Sequence, residues 1–389
     1  MSTIFDIARE AGVSITTVSR ALNGYNDVNE VTRRRIVEIA QLLNYYPSAA
    51  ARNLQGGRTD TVAFAPLLRE HIESEPFFKE FLGQLTLSAF RHDLSLLATI
   101  ADNPSHTREI YRELIGSGRV DGIILADIKP EDERIGLLGS MGVAFVAFGR
   151  TADYESLHYP LVDVDSQAGI QAVVDYLVGK GHRRIAYLSG PLNTSYSLYR
   201  HTGYCEGLKR HGLPFDDRLV IADLQEHTDT NLAVARLLSL GADNHEEETA
   251  RPTAIVAAND HLALQVIQKL QDRGITVGSD LGVKGMAITG FDDLPYAAYV
   301  QPALTTVQQP IAAISEIILD LLVYLIKSGA GSKKKAQSPA RPVDRPHDEQ
   351  AKGERNETPL DGAKLDPRVR WIGPLQALVA PRLVVRSSA

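Results

Sequence analysis

The stretch Val13-Ser14-Ile15-Thr16-Thr17-Val18-Ser19-Arg20-Ala21-Leu22-Asn23 decides how the chain is read. Ser14 stands where a helix begins, and its hydroxyl can accept a backbone N–H of the first turn. Val18 and Leu22, four residues apart, share one face and can anchor that helix. Ile15, Thr16, Thr17, Ser19 and Arg20 are left for something outside. Upstream, Ile4, Ile7, Ala8 and Ala11 follow the i, i+3, i+4, i+7 spacing of an apolar helical stripe. Gly12 breaks the chain between the two. Helix, glycine turn and capped helix form a helix-turn-helix pattern, whose second helix enters the DNA major groove.

Downstream, Asn29 or Thr32 can cap a third helix with an apolar stripe of Ile36, Ile39, Ala40 and Leu43. Arg33-Arg34-Arg35 in its first turns oppose the helix dipole. Contact with phosphate offsets that cost, and a solvated basic face tolerates it. Taken alone, three such helices also fit a small structural bundle. The next segment narrows the choice. Ser48-Ala49-Ala50-Ala51-Arg52-Asn53-Leu54 reads as a short helix capped at Ser48 and stopped by Gly56-Gly57. So short a helix is marginal alone in water and needs a partner. Leu54 has no large apolar mate within it. Such a residue either packs against a neighbour or acts as a wedge between base steps in the minor groove.

From Thr3 to Arg58 the chain resembles the headpiece and hinge helix of LacI-type transcription regulators. Asp6-Ile7-Ala8, Gly12-Val13-Ser14, Thr17-Val18-Ser19-Arg20, Asn44-Tyr45 and Ala51-Arg52-Asn53-Leu54 carry the resemblance. It continues over most of the chain. It implies a homodimer on a near-palindromic double-stranded operator, with paired hinge helices in the central minor groove. By position, the resemblance implies that Ile15, Thr16 and Arg20 face base edges, that Thr17 and Ser19 face phosphates, and that Leu54 is the wedge. Thr3, Asn23, Tyr45, Ser48 and Ala51 complete the implied DNA-contacting set. The side-chain chemistry suits those roles. Ile15 and Thr16 offer apolar contact to a thymine methyl, and Arg20 can pair with guanine in bidentate fashion.

Charge is divided along the chain. Residues 1–58 hold seven Lys and Arg against five Asp and Glu, and the remainder 34 against 43. A small basic head on an acidic body fits a DNA reader whose body avoids DNA. The single cysteine, Cys205, excludes an internal disulfide framework and suits a reducing cytoplasm. No basic-then-apolar export segment opens the chain, and no apolar run approaches a transmembrane length. The expectation is a cytoplasmic protein with no membrane partner.

Beyond residue 60, short apolar runs alternate with amphipathic stretches. Strands are expected at 62–68, 94–100, 120–126, 143–148, 161–164, 184–189, 219–222, 253–258, 286–290 and 383–386. Helices include 167–180 and 262–273. This alternation predicts α/β architecture with parallel sheets covered on both faces. The strands outnumber those of one compact doubly wound unit, so two lobes are expected. In such sheets, ligands sit beyond the carboxyl ends of the strands. Those ends carry Asp127, Gly149-Arg150, Gly190-Pro191, Asn259-Asp260 and Phe291-Asp292-Asp293. Carboxylates and guanidinium groups can pair in bidentate fashion with vicinal hydroxyls. Phe77, Phe78 and Phe81 are either core residues or an aromatic wall for a sugar or a planar base. Asp260 is a helix cap, a ligand group, or both.

The resemblance implies the fold of periplasmic sugar-binding proteins joined to an all-α helix-turn-helix headpiece. It supports Arg150, Arg200, Asn259 and Asp260 as effector residues; with Phe77, Phe78, Phe81 and Gln309 they make up the expected effector set. Gly290-Phe291-Asp292-Asp293 and Leu304-Thr305-Thr306-Val307 match segments where the chain crosses back between lobes. Leu224 stands where some members carry an aromatic that stacks on the ligand. The expected division is a headpiece over 1–46, a hinge helix over 47–58, and an effector-binding and dimerisation body over 59–328 and 371–389. Residues 329–370, with Lys333-Lys334-Lys335 and almost no large apolar side chains, read as a disordered insertion.

Other chemistry is missing from the sequence. No phosphate-cradling glycine loop or nucleophile elbow occurs, and the histidines show no metal spacing. The expectation is a regulator, most simply a repressor, with no cofactor, no metal and no catalytic residues. A sugar effector is favoured, with a nucleobase as the alternative ligand. A sugar transport protein of the same body fold would carry an export segment and no headpiece. An enzyme would need a reacting pair that the sequence does not place.

Overall fold

The computed structural model describes residues 2–22, 25, 27–45, 58–68, 76–101, 106–224, 227–240, 251–278, 285–329 and 366–389. The chain divides into two units, Met1–Thr59 and Asp60–Ala389.

The first unit is a three-helix headpiece: α1 Ile4–Ala11, α2 Ile15–Leu22 and α3 Glu30–Leu42. Thr3 and Asp6 lock the start of α1. The Thr3 backbone N–H and hydroxyl both donate to Asp6 Oδ2, at 2.9 and 2.8 Å. Gly12 ends α1 in the left-handed conformation, φ 66°, which glycine adopts at no steric cost. Ser14 Oγ accepts the Thr17 N–H at 3.1 Å and so caps α2. Of the two expected caps for α3, Asn29 takes the role by accepting the Val31 N–H at 2.9 Å. Ile7, Ala11, Val18, Ala21, Ile36, Ile39 and Ala40 form the shared core. Arg33 donates to the Tyr25 carbonyl, so part of the arginine run braces a turn.

The second unit is a two-lobed α/β body. One lobe is built on a seven-stranded sheet in the order β12-β13-β5-β4-β3-β1-β2. Its strands are β1 Thr61–Leu68, β2 Ser95–Ala101, β3 Gly122–Leu125, β4 Ala144–Phe148, β5 Leu161–Val164, β12 Val369–Gly373 and β13 Gln376–Val379. Helices α4 Pro76–Arg91, α5 Thr107–Gly116, α6 Glu133–Met141, α7 Tyr154–Leu157 and α12 Ile311–Ser328 accompany it. The other lobe has a five-stranded sheet in the order β7-β6-β8-β10-β9. Those strands are β6 Ile185–Leu188, β7 Val220–Ile221, β8 Ala254–Ala257, β9 Thr276–Val277 and β10 Gly285–Thr289. Its helices are α8 Ser166–Gly179, α9 Ser195–Arg210, α10 His227–Ser239 and α11 Asp260–Gln271. The pairings are parallel except β12 with β13. Fully buried parallel strands read as continuous apolar runs, and β3, β4, β6 and β8 do so.

The chain leaves the first sheet for the second after β5, returns to the first after β10, and leaves it again after β13. On the way, β11 Thr306–Gln308 pairs antiparallel with β14 Arg382–Val384. The closing strand expected at 383–386 therefore exists, slightly earlier, as half of this ribbon. Among the described residues, four strands lie outside the expected ones: β9, β11, β12 and β13. The expected insertion also ends sooner than residue 370. Val369 and Arg370 already belong to β12, while residues 330–365 lie outside the described residues.

Candidate functional site

On the headpiece, Ile15, Thr16 and Arg20 are exposed along one side of α2, and Thr17 and Ser19 are half-buried. Thr3 is exposed, and Tyr45 packs partly into the headpiece core. Arg20 is engaged within the headpiece. Its guanidinium lies 2.5 Å from Asp27 and 4.9 Å from the centre of the Tyr25 ring. Asn23, Ser48, Ala51 and Leu54 lie outside the described residues.

In the body, a cleft enclosing about 530 Å³, open solvent included, lies where strand ends of the first sheet face the second lobe. Asp127 and Ile128 follow β3, Phe148 and Gly149 end β4, and Asp163, Val164 and Ser166 come from the end of β5 and the start of α8. Phe77 and Phe78 enter from the first turn of α4. Ser195, Tyr196 and Arg200 enter from the first turns of α9, and Asp292 and Gln309 from the segment between β10 and α12.

Close helix packing places α9. A Cβ at Gly203 would lie 2.5 Å from the Gln167 carbonyl oxygen, and one at Gly207 would lie 2.8 Å from Val174. These glycines, four apart and so on one face, let α9 lie against α8.

Arg200 is 5% exposed. It donates through Nη1 to the Ala258 carbonyl at 2.7 Å and through Nη2 to Asp292 Oδ1 at 3.2 Å. Its guanidinium sits 3.9 Å from the centre of the Phe291 ring. Its Nε makes no hydrogen bond among the described residues. Asp292 Oδ1 also accepts from Gln309 Nε2 at 2.7 Å. The Asp292 backbone is held at φ 121°, a region that costs a non-glycine residue about 1–3 kcal/mol and recurs at functional sites.

On the other wall, burial raises the Asp163 carboxyl to about 6, against the pull of Arg150. Arg150 Nε lies 3.1 Å from Asp163 Oδ2, and its guanidinium covers the Tyr199 ring at 4.0 Å. Phe77 and Phe148 stack at 6.0 Å. The cavity thus combines carboxylates and a guanidinium with an aromatic wall.

Of the expected effector residues, Phe77, Phe78, Arg200 and Gln309 line the cavity, and four do not. Phe81 is fully buried behind Phe77 and Phe148. Arg150 is set one layer back, facing Asp163. Asn259 caps α11 by accepting the Leu262 N–H at 2.7 Å. Asp260 is fully buried. It accepts the Leu294 N–H at 2.9 Å and the Thr306 hydroxyl, and so ties the start of α11 to the segment between lobes. Burial, then the charge of Asp292, push Asp260 well above the usual carboxylate range. Leu224 packs against the second-lobe core.

Asp163, Ser166, Ser195, Tyr196 and Phe148 were not in the expected set. Tyr196 had a signal, since it stands one helical turn before Arg200 on the same face. Asp163 stands within the apolar run Leu161-Val162-Asp163-Val164, where nothing local says what its carboxyl faces.

Residues 3–48 match the model of bacterial regulatory proteins of the lacI family, and residues 174–346 match the periplasmic binding protein-like domain. The catabolite control protein A of Priestia megaterium is 31% identical over 87% of this chain and 97% of its own length. Among solved structures, the lac repressor dimer bound to operator and the anti-inducer ONPF is similar in fold, with TM-score 0.74 at 20% identity over 100% of this chain and 98% of that one. So is a complex of the transcriptional regulator CelR with cellobiose, with TM-score 0.65 at 24% identity over the whole of both chains. Among the described residues, no helix is long and apolar enough to cross a membrane. With a capped helix-turn-helix at one end, a two-lobed parallel-sheet body after it, and relatives that regulate transcription and are not enzymes, the chain belongs to the LacI family of bacterial transcriptional regulators.

Proposed function

We propose that this regulator is a cytoplasmic, homodimeric repressor whose operator affinity is set by a sugar or glycoside in the interlobe cavity. The observation that carries the proposal is the Arg200–Asp292–Gln309 cluster, standing across the cavity from Asp163 and Asp127 and beside Phe77, Phe78 and Phe148. Carboxylate and guanidinium groups bind vicinal hydroxyls in pairs, and aromatic faces suit the C–H face of a sugar ring. The cellobiose complex of CelR supports the ligand class by analogy.

On the DNA side, Ile15, Thr16 and Arg20 read base edges, and Thr17 and Ser19 meet phosphates. Thr3, Asn23, Tyr45, Ser48 and Ala51 add contacts, and Leu54 wedges the minor groove. The exposure of Ile15, Thr16 and Arg20 supports this assignment. Effector binding favours one arrangement of the lobes. The ligand alters operator affinity only by its differential affinity for the two arrangements.

A thermal-shift panel of sugars and nucleobases, with each hit repeated in an operator gel shift, tests the ligand class. A sugar that raises Tm and changes operator binding is the expected result. A flat sugar panel with a purine hit would replace the sugar with a nucleobase. For the wedge, Leu54→Ala should weaken operator binding while sparing random DNA; equal loss on both would remove that role.

A further inference from the structure

A second cluster stands apart from the cavity, where the end of α4 meets α12. His92 follows α4, and Glu316 and Asp320 lie one turn apart on α12, on the same face. Their ligand atoms all lie within 4.8 Å of one another. His92 Nε2 is 3.7 Å from Glu316 Oε1 and 3.4 Å from Asp320 Oδ1. A charged hydrogen bond between imidazolium and carboxylate would close to about 2.7–2.9 Å. Two ligands held about 2.1 Å from a tetrahedral ion stand roughly 3.4 Å apart. The His92–Asp320 spacing is therefore that of a coordination edge, and the His92–Glu316 spacing is about 0.3 Å longer. His92 Nε2 is shielded from solvent and makes no hydrogen bond among the described residues.

The surrounding groups orient the cluster. Glu316 Oε2 accepts from Ser88 Oγ at 2.7 Å and from Arg91 Nη1 at 2.8 Å, which leaves Oε1 for the imidazole side. Such outer partners fix ligating carboxylates in metal sites. Arg91 offsets one of the two carboxylate charges. The three side chains remain 20–38% exposed, so water can reach a fourth position. One nitrogen and two oxygens suit a late first-row divalent ion better than calcium or magnesium, which prefer all-oxygen sites.

We propose that His92, Glu316 and Asp320 bind one divalent ion of the zinc class, clamping the end of α4 to α12. The test is calorimetric titration of ZnCl₂ into full-length protein made without a histidine tag and stripped with chelator. Wild type should bind one zinc per chain saturably. His92→Gln and Asp320→Asn should each weaken that binding at least about 10-fold. His211→Gln, at a surface histidine paired with Asp175, should leave it unchanged. Cobalt in place of zinc should give the strong visible bands of tetrahedral coordination, lost in His92→Gln. If one variant fails to fold by circular dichroism, the other decides. No saturable binding, equal binding by both cluster variants, or loss in His211→Gln would each overturn the site.

Discussion

Asp292 is the side chain that most directly joins ligand chemistry to the segment between the lobes. Its carboxylate receives Arg200 and Gln309, and its backbone is held in the left-handed half of φ space. Asp292→Asn keeps the size and removes the charge. The expected outcome is at least about a 10-fold loss of effector affinity by calorimetry, the scale of one lost charge-assisted hydrogen bond. Asp260→Asn sits outside the cavity, so it should lower Tm more than it lowers intrinsic effector affinity.

Asp163 adds a pH dependence. Above about pH 6 it is a carboxylate able to accept hydroxyl groups, and below that it is an acid. Effector affinity should fall as pH drops from 7.5 to 5, and the fall should flatten in Asp163→Asn. The residue's own contribution to stability runs the other way. The folded form takes up its proton at higher pH than the ordinary 3.8, so that contribution grows as pH falls through 6. On the headpiece, Arg20 must give up Asp27 before it can reach a base. Asp27→Asn should strengthen DNA binding a few-fold, the scale of a partly exposed ion pair. Arg20→Ala should relax base preference at one position per half-site, read by selection from a random library.

At the scale of elements, α9 depends on its two glycines. Gly203→Ala pushes a methyl into the Gln167 backbone, where neither helix can yield cheaply. Overpacking of this kind costs about 1–3 kcal/mol. The variant should melt several degrees lower and bind effector more weakly, because Ser195, Tyr196 and Arg200 ride on that helix.

The same scale explains what could be read from the chain. The headpiece helices carry apolar stripes and local caps, and these are sequence-local features. The parallel strands of both lobes are short apolar runs, legible for the same reason. The β12–β13 hairpin was missed because β12 begins inside what looked like the end of a polar insertion, and because β13 pairs with β5, some two hundred residues earlier. Asn259 and Asp260 were rightly placed at a strand end. Which of several strand-end carboxylates reaches the cavity depends on the crossing segment, and there Asp292 takes the position while Asp260 braces behind it. Phe81 lies one helical turn after Phe77, and only its burial between Phe64 and Phe148 shows that it stands behind the cavity wall and not in it.

For the whole molecule, a basic head and an acidic body divide the labour of binding DNA and sensing a ligand. The body crosses between its lobes beside the cavity, and Asp292 and Gln309 belong to one of those crossings. A ligand held there would touch both lobes at once, and so could favour one arrangement of the lobes over another. The central claim is tested by titrating operator DNA into wild type and Asp292→Asn, each with and without the sugar identified by thermal shift. The wild-type operator Kd should move about 5–150-fold with the sugar. Asp292→Asn should bind operator as wild type does and, at a sugar concentration near the wild-type effector Kd, show a much smaller shift. A shift of equal size in both proteins would contradict the account.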